Sequence, residues 1–112
     1  MLDFGSLTLM LANGADVNAI DRFDGTALME AARNGHQAIV RVLLDRDADV
    51  NAFDEDGRTA LMHAARYGYE TSIKLLLAAG ADGTAIDEDG RTALMLANFE
   101  GYPEIADMLS AA

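Results

Sequence analysis

The sequence of 112 residues contains no cysteine and carries a formal net charge of −11. Its length fits one small domain, and the lack of cysteine excludes disulfide and thiol chemistry. The negative charge disfavours nucleic acids and anionic membranes as partners, because their phosphates would repel it. No apolar run approaches the roughly 20 residues of a membrane-spanning helix, and the first letters, MLDFGS, do not resemble a signal peptide. We therefore expect a soluble intracellular protein of the cytoplasm.

A period of 33 residues runs through the chain. The nine letters DEDGRTALM stand at 54–62 and again at 87–95. The same spacing relates three sets of residues: Thr26, Thr59 and Thr92; Gly35, Gly68 and Gly101; and Asp16, Asp49 and Asp82. Internal repetition of this length is typical of stacked repeat proteins. We divide the single domain 1–112 into four parts: a partial unit at 1–20, full units at 21–53 and 54–86, and a shortened capping unit at 87–112.

Each full unit is predicted to contain a turn, a first helix, a short turn and a second helix. The partial unit keeps only the second helix, with the letters LTLMLANG at 7–14. In the unit 21–53, Asp and Gly residues mark the turn, Thr26 is the predicted N-cap of the first helix, and Gly35 ends that helix. Apolar residues then recur over 39–44, in the second helix. The next two units repeat this order. No unit can bury its apolar side chains alone, so the units must stack.

The letters GRTALMHAARYGYETSIKLLLAAGAD at 57–82 resemble the ankyrin repeat, and the resemblance extends over nearly the whole chain. It implies an all-α solenoid of stacked helix-turn-helix units with hairpin fingers. It also implies a non-catalytic module that binds a protein or peptide partner in a concave groove. The chain departs from the family pattern where the usual His is Met29, Met62 or Met95, which we interpret as packing residues. Asp24 and Asp47 stand where glycine is expected, and Asp tolerates the left-handed region better than most residues.

The N-terminal unit lacks its first helix, which leaves the apolar flank of LTLMLANG without a sequence-encoded cover. Three explanations remain open: a fragment cut from a longer array, pairing with a second copy, or a partly open end. Truncation or engineering is favoured, and self-association comes second because exposed apolar patches attract partners. We therefore expect a monomer, or weak self-association through the N-terminal edge.

No motif predicts catalysis, a metal site or a cofactor. The acidic finger tips match the start of a calcium loop, but its twelfth position would be Ala65 or Asn98 in place of Glu. His36 is expected to support a turn, and His63 to lie solvated on the exposed side of a first helix. Asn51 loosely matches a substrate of asparaginyl hydroxylation in the family, but we favour an Asn that bonds its own turn. We expect no enzyme activity.

The resemblance places the partner-binding residues on the finger tips and on the exposed side of the first helices. The candidates are Arg22, Phe23, Arg33, Asn34, Phe53, Glu55, Asp56, Arg58, Arg66, Tyr67, Glu88, Asp89, Arg91 and Phe99. Of the eight basic residues of this acidic chain, six map to the groove side: Arg22, Arg33, Arg46, Arg58, Arg66 and Arg91.

This arginine row suggests a partner with acidic or mixed side chains and one or two apolar anchors, since Arg and aromatic residues are enriched in binding hot spots. Arg58 and Arg91 have an equally good alternative interpretation, in which they pair with Asp56 and Asp89 of their own fingers. The alternative for the whole chain is an engineered or truncated scaffold without an evolved partner, which the verbatim repeat of DEDGRTALM favours.

Overall fold

The structure is a computed structural model that describes Gly14 and residues 16–111. The described residues form six helices: α1 (Ala27–Arg33), α2 (Gln37–Asp45), α3 (Ala60–Tyr67), α4 (Glu70–Ala78), α5 (Ala93–Glu100) and α6 (Pro103–Ser110). They contain no strand, although Phe53 and Thr59 form an isolated antiparallel bridge. No helix in this part of the chain is long and apolar enough to cross a membrane. The predicted helix of the partial unit and its apolar flank lie outside the described residues.

The three first helices begin in the same way. Thr26, Thr59 and Thr92 are N-cap residues, and each hydroxyl accepts a hydrogen bond from the backbone N–H three residues later, at 3.2 or 3.3 Å. These caps satisfy donors that a helix start otherwise leaves without partners. The glycine predictions are confirmed for Gly68 and Gly101, which end α3 and α5 in the left-handed conformation. Asn34 is the C-cap of α1, and Gly35 adopts positive φ one residue later.

The core lies between two rows of helices. The first helices α1, α3 and α5 pack in one row, α2 packs against α4, and each first helix packs against the second helix of its own unit. Leu28, Leu61, Leu43 and Leu76 are fully buried between these rows, and each such side chain stabilises the fold by about 2 kcal/mol. Met29 and Met62 are buried as packing residues, whereas Met95 is half-exposed on the last unit.

Neighbouring units also meet through tyrosine and glycine. The Tyr69 ring lies against Gly35 of the preceding unit, where an added Cβ would be 2.6 Å from its Cε1 atom. Tyr102 lies against Gly68 in the same way, at 2.8 Å. These glycines therefore serve two purposes, since they adopt positive φ and also leave room for the ring of the next unit.

Two asparagines connect the loops between units, which corrects the prediction that Asn51 bonds its own turn. The side-chain oxygen of Asn18 accepts the backbone N–H of Asp49 at 2.7 Å, and that of Asn51 accepts the N–H of Asp82 at 2.8 Å. Asn51 also donates from Nδ2 to the carbonyl of Gly80. Each asparagine thus bonds the next unit and not its own turn, because the carboxylate two residues earlier already accepts its backbone N–H.

Asp24 and Asp47 adopt φ values of 61° and 63°, as the sequence predicted for residues that replace glycine. The left-handed region is costly for an L-residue, although Asp tolerates it better than most. Both sites therefore keep the local geometry of the glycine turns at some cost in stability.

Candidate protein-binding groove

An aspartate organises each of the three fingers. In Asp21, Asp54 and Asp87, Oδ1 accepts the backbone N–H groups two and four residues later, at 2.8 to 3.0 Å. The backbone N–H of each aspartate in turn donates to the carbonyl four residues later. The fingers are therefore tight turns in which one carboxylate satisfies two donors, as Asx turns do.

Backbone hydrogen bonds join adjacent fingers. The N–H of Glu55 donates to the carbonyl of Phe23, and the N–H of Glu88 donates to the carbonyl of Asp56, both at 3.0 Å. Since 23 and 56 are separated by one period, the two junctions are equivalent. The fingers thus form one continuous edge beside the row of first helices.

A groove with a volume of about 420 Å³ lies between the fingers of the units 21–53 and 54–86 and the helices α1 and α3. We call it the finger groove. It brings together seven of the predicted site residues: Phe23, Arg33, Glu55, Asp56, Arg58, Arg66 and Tyr67. Gly25, which the repeat position also placed on this surface, lines it as well. Six residues that the sequence prediction did not include complete the lining: Asp21, Thr26, Met29, Glu30, Asp54 and His63.

The other seven predicted residues lie elsewhere. Phe53 and Glu88 line a second cavity of about 410 Å³, together with the exposed Ile86. The remaining five line neither cavity: Arg22, Asn34, Asp89, Arg91 and Phe99. Phe99 is strongly exposed on α5, and Asn34 donates its side-chain amide to the carbonyl of Glu30. Arg46, which the sequence also placed on the groove side, is the exposed C-cap of α2.

Arginine and aromatic side chains stack in pairs near the finger groove. The Arg66 guanidinium lies 5.6 Å from the Tyr67 ring centroid, and that of Arg22 lies 5.0 Å from the Phe23 ring centroid. These distances are within the range of cation–π attraction. Neither Arg33 nor Arg66 forms an ion pair with any carboxylate of the described residues.

The interpretation of Arg58 as a partner of Asp56 is wrong. Its Nε lies 3.5 Å from Oδ2 of Asp87 in the next finger, because the side chain crosses the junction between fingers. The alternative interpretation of Arg91 is confirmed, since its Nη2 lies 2.8 Å from Oδ2 of Asp89. Arg91 also places its Nε 3.5 Å from Asp87.

Asp87 is a buried anion between these two guanidinium groups, and its side chain is only 1% exposed. Burial opposes its ionisation. The backbone N–H groups of Arg91 and Asp89 and the charges of Arg91 and Arg58 outweigh burial and hold the pKa of Asp87 below its ordinary value. Asp87 thus joins the last two fingers as a carboxylate.

The prediction that His63 is solvated is wrong. His63 is 8% exposed, and its Nε2 lies 2.9 Å from Oδ2 of Asp54, beneath the finger of its own unit. Burial lowers the pKa of His63, and the hydrogen bond to Asp54 does not fully offset this. The period gave a mixed signal, because the corresponding residue of the next unit, Leu96, is buried, whereas that of the preceding unit, Glu30, is exposed.

The finger groove contains carboxylates, guanidiniums and two aromatic rings, so it can form ion pairs and stacking contacts. Among the described residues, no group of three or more His, Cys, Asp and Glu side chains is placed to hold a metal ion. The backbone N–H groups of Gly25 and Phe23 hold the pKa of Asp21 below its ordinary value. At neutral pH this wall of the groove is therefore anionic.

The helix pairs, their stacking and the finger edge define a stacked helical-repeat protein. The family model for ankyrin repeats, in three copies, matches residues 3–87. The chain belongs to the ankyrin repeat family. An ankyrin repeat-containing protein of Saccharomyces cerevisiae is 37% identical over 44 residues, which make up 39% of this chain and 9% of the yeast protein. Ankyrin repeats are generally protein–protein interaction modules and generally lack enzyme activity.

Proposed function

We propose that the chain binds a protein or peptide partner in the finger groove without chemistry of its own. The observation that carries the proposal is the pair Arg33 and Arg66, which line the groove next to the aromatic ring of Tyr67 and form no ion pair with a carboxylate among residues 16–111. Arginine and tyrosine beside a concave surface are the residue types that dominate binding energy at interfaces.

The charges of the groove favour a partner of mixed character. Carboxylates of the partner would pair with Arg33 and Arg66, and an apolar or aromatic side chain would pack against Phe23 or Tyr67. Both rings are exposed. Burial of such a ring stabilises a complex through its apolar area and its stacking geometry. The acidic finger tips then serve mainly to steer and select the partner.

The experiment is a selection of short random peptides displayed on phage, with the whole chain as the bait. The enriched peptides are measured by fluorescence anisotropy against the double variant Arg33→Glu/Arg66→Glu. The matched control is Arg41→Glu/Lys74→Glu, which changes the net charge equally at exposed positions of α2 and α4. Thermal melts verify the fold of both variants.

We expect the groove variant to weaken binding by about tenfold or more, because it places like charges opposite the partner's carboxylates. The control should stay within about threefold, since exposed charges outside the groove act only through a screened field. Equal affinities of both folded variants would overturn the proposal. If no peptide is enriched, the alternative of an engineered or truncated scaffold without an evolved partner is favoured.

A further inference from the structure

One position of the finger differs between units in a way that changes the groove. Arg58 and Arg91 occupy corresponding positions of the last two fingers, and Gly25 occupies that position in the first full unit. Arg58 reaches forward to place its Nε 3.5 Å from Asp87 in the next finger. The corresponding carboxylate for residue 25 is Asp54 in the next finger, but Gly25 has no side chain that could reach it.

Asp54 consequently lacks the cationic partners that Asp87 has. No arginine or lysine of the described residues forms an ion pair with Asp54, and its own Arg58 is directed towards Asp87. The Asp54 side chain is 13% exposed, against 1% for Asp87. Gly25 and Asp54 both line the finger groove, so no arginine of this first finger reaches Asp54 across the groove.

His63 takes the place of the missing cation only in part. Its Nε2 contacts Oδ2 of Asp54, and its Nδ1 is buried without a hydrogen-bond partner. Because burial lowers the pKa of His63, the ring is neutral near pH 7 and leaves the charge of Asp54 uncompensated. A neutral ring that donates to a carboxylate satisfies one lone pair but does not neutralise the anion.

Asp21 adds a second carboxylate at the same place. Its Oδ1 accepts two backbone N–H groups, and its Oδ2 lies 3.2 Å from the point where a Cβ of residue 25 would stand. Asp21 forms no ion pair with the described residues either. Residue 25 therefore lies directly beside the Asp21 carboxylate, on which the charges of Arg22 and Arg33 also act, and Asp54 lines the same groove.

We infer that this position is a slot for an arginine side chain of the partner, whose guanidinium would pair with Asp54 and Asp21 as Arg58 pairs with Asp87. The inference rests on the proposed function, because the slot is part of the finger groove. A guanidinium suits two fixed carboxylates because its planar fork presents several donors in a rigid geometry. A metal ion suits them less, since three of the four oxygens of Asp21 and Asp54 already accept hydrogen bonds.

The partner therefore has a two-part pattern: carboxylates for Arg33 and Arg66, and one arginine for the slot at Gly25. This pattern fits a chain of net charge −11, which attracts a basic group more readily than an acidic one. An arginine would also compensate Asp21 and Asp54, two of the five carboxylates that line the groove.

The test uses N-acetyl-arginine methylamide as the probe, titrated into the whole chain labelled with ¹⁵N. Its neutral isostere, N-acetyl-citrulline methylamide, is the control probe. We expect saturable shifts of the backbone amides of Gly25, Asp56 and Arg58, which donate to the two carboxylates. The citrulline probe should bind about tenfold more weakly or not at all, because it lacks the charge.

The variant Gly25→Arg fills the slot from within and should abolish the response to the arginine probe. Its matched control is Gly83→Arg, which adds the same side chain where a Cβ would meet nothing within 4 Å. If Gly25→Arg fails to fold, Asp54→Asn tests the same point, because its side-chain oxygen can still accept the N–H groups of Asp56 and Arg58.

Three outcomes would overturn the inference: equal shifts with arginine and citrulline, equal binding of N-acetyl-lysine methylamide, or unchanged binding by Gly25→Arg. The probe needs neither Arg33 nor Arg66. A failed titration therefore contradicts the slot and leaves the peptide selection standing, whereas a failed selection with a positive titration contradicts only the proposed function.

Discussion

The contact between Tyr102 and Gly68 predicts how much an alanine at Gly68 destabilises the fold. Gly101, which has a similar backbone conformation, provides the comparison. Gly68 and Gly101 both end a first helix in the left-handed conformation, at φ of 76° and 82°. A Cβ at Gly68 would lie 2.8 Å from Cε1 of Tyr102, whereas one at Gly101 would meet nothing within 4 Å. The two alanine variants therefore share the backbone strain and differ in the collision.

We expect Gly101→Ala to lower the free energy of unfolding by about 1 kcal/mol, the cost of alanine at positive φ. Gly68→Ala should lower it by about 2 to 4 kcal/mol, because the half-buried tyrosine ring must move and an overpacked contact costs about 1 to 3 kcal/mol more. Urea denaturation followed by circular dichroism measures both values.

Gly101 lies in the last unit, where fraying could mask a loss of stability, so a second comparison uses the interior. Gly35→Ala meets Tyr69 at 2.6 Å and should behave like Gly68→Ala. When Tyr102→Ala is the background, adding Gly68→Ala should lower the free energy of unfolding only as much as Gly101→Ala does in the wild-type chain. If Gly35, Gly68 and Gly101 gave equal losses, or if the double variant showed no coupling, the reasoning would be refuted.

Two further predictions concern the buried charges. Burial holds the folded pKa of His63 below 6.5, so the unfolded chain takes up the proton first, and stability should fall as the pH drops below about 6.5, by at most about 1.4 kcal/mol per pH unit. Urea midpoints between about pH 7.5 and about pH 5.5 measure this loss, and an equal loss in His63→Gln would contradict the assignment. Asp87→Asn should cost about 2 kcal/mol because it leaves the partly buried Arg58 without its anion and removes one of the two carboxylates beside Arg91. Asp89→Asn should cost less than about 0.5 kcal/mol despite its shorter ion pair, because the Asp89 side chain is 70% exposed. A larger loss for Asp89→Asn than for Asp87→Asn in denaturation would reverse the argument.

The parts of the fold that the sequence predicted well are those determined within one unit. Thr59 caps α3 and Gly68 ends it, because both features depend on backbone geometry within a few residues. The left-handed turn at Asp24 was predicted for the same reason. The period then supplied the stacking, since each apolar face needs a neighbour.

The contacts between units were predicted less well. One of the two interpretations of Arg58 paired it with Asp56 of its own finger, although its carboxylate is Asp87 in the next unit. The side-chain oxygen of Asn51 binds a backbone N–H 31 residues later, and an expectation based on local turns missed it. A sequence pattern shows which residues share a position in the repeat, but the reach of a long side chain across the junction depends on the packed geometry.

The candidate site was predicted in part. Arg33, Arg66 and Tyr67 line the finger groove as their positions in the repeat suggested, whereas Phe99 and Asn34 lie outside it. Gly25 also lines the groove, as its repeat position suggested, but the sequence did not show that Asp54 and His63 would lie there too. Whether these residues bind a partner stays a prediction.

The tyrosine contacts have a consequence for anyone who wishes to exchange modules between repeat proteins. Gly35 leaves room for the ring of Tyr69, and Gly68 for that of Tyr102, so the residue that fills each space is encoded 34 positions further along the chain. If the unit 54–86 were transplanted alone, Gly68 would lack the ring of Tyr102, and the ring of Tyr69 would lack its contact with Gly35. Modules cut from this chain should therefore be exchanged as overlapping pairs, with the glycine and its tyrosine kept together.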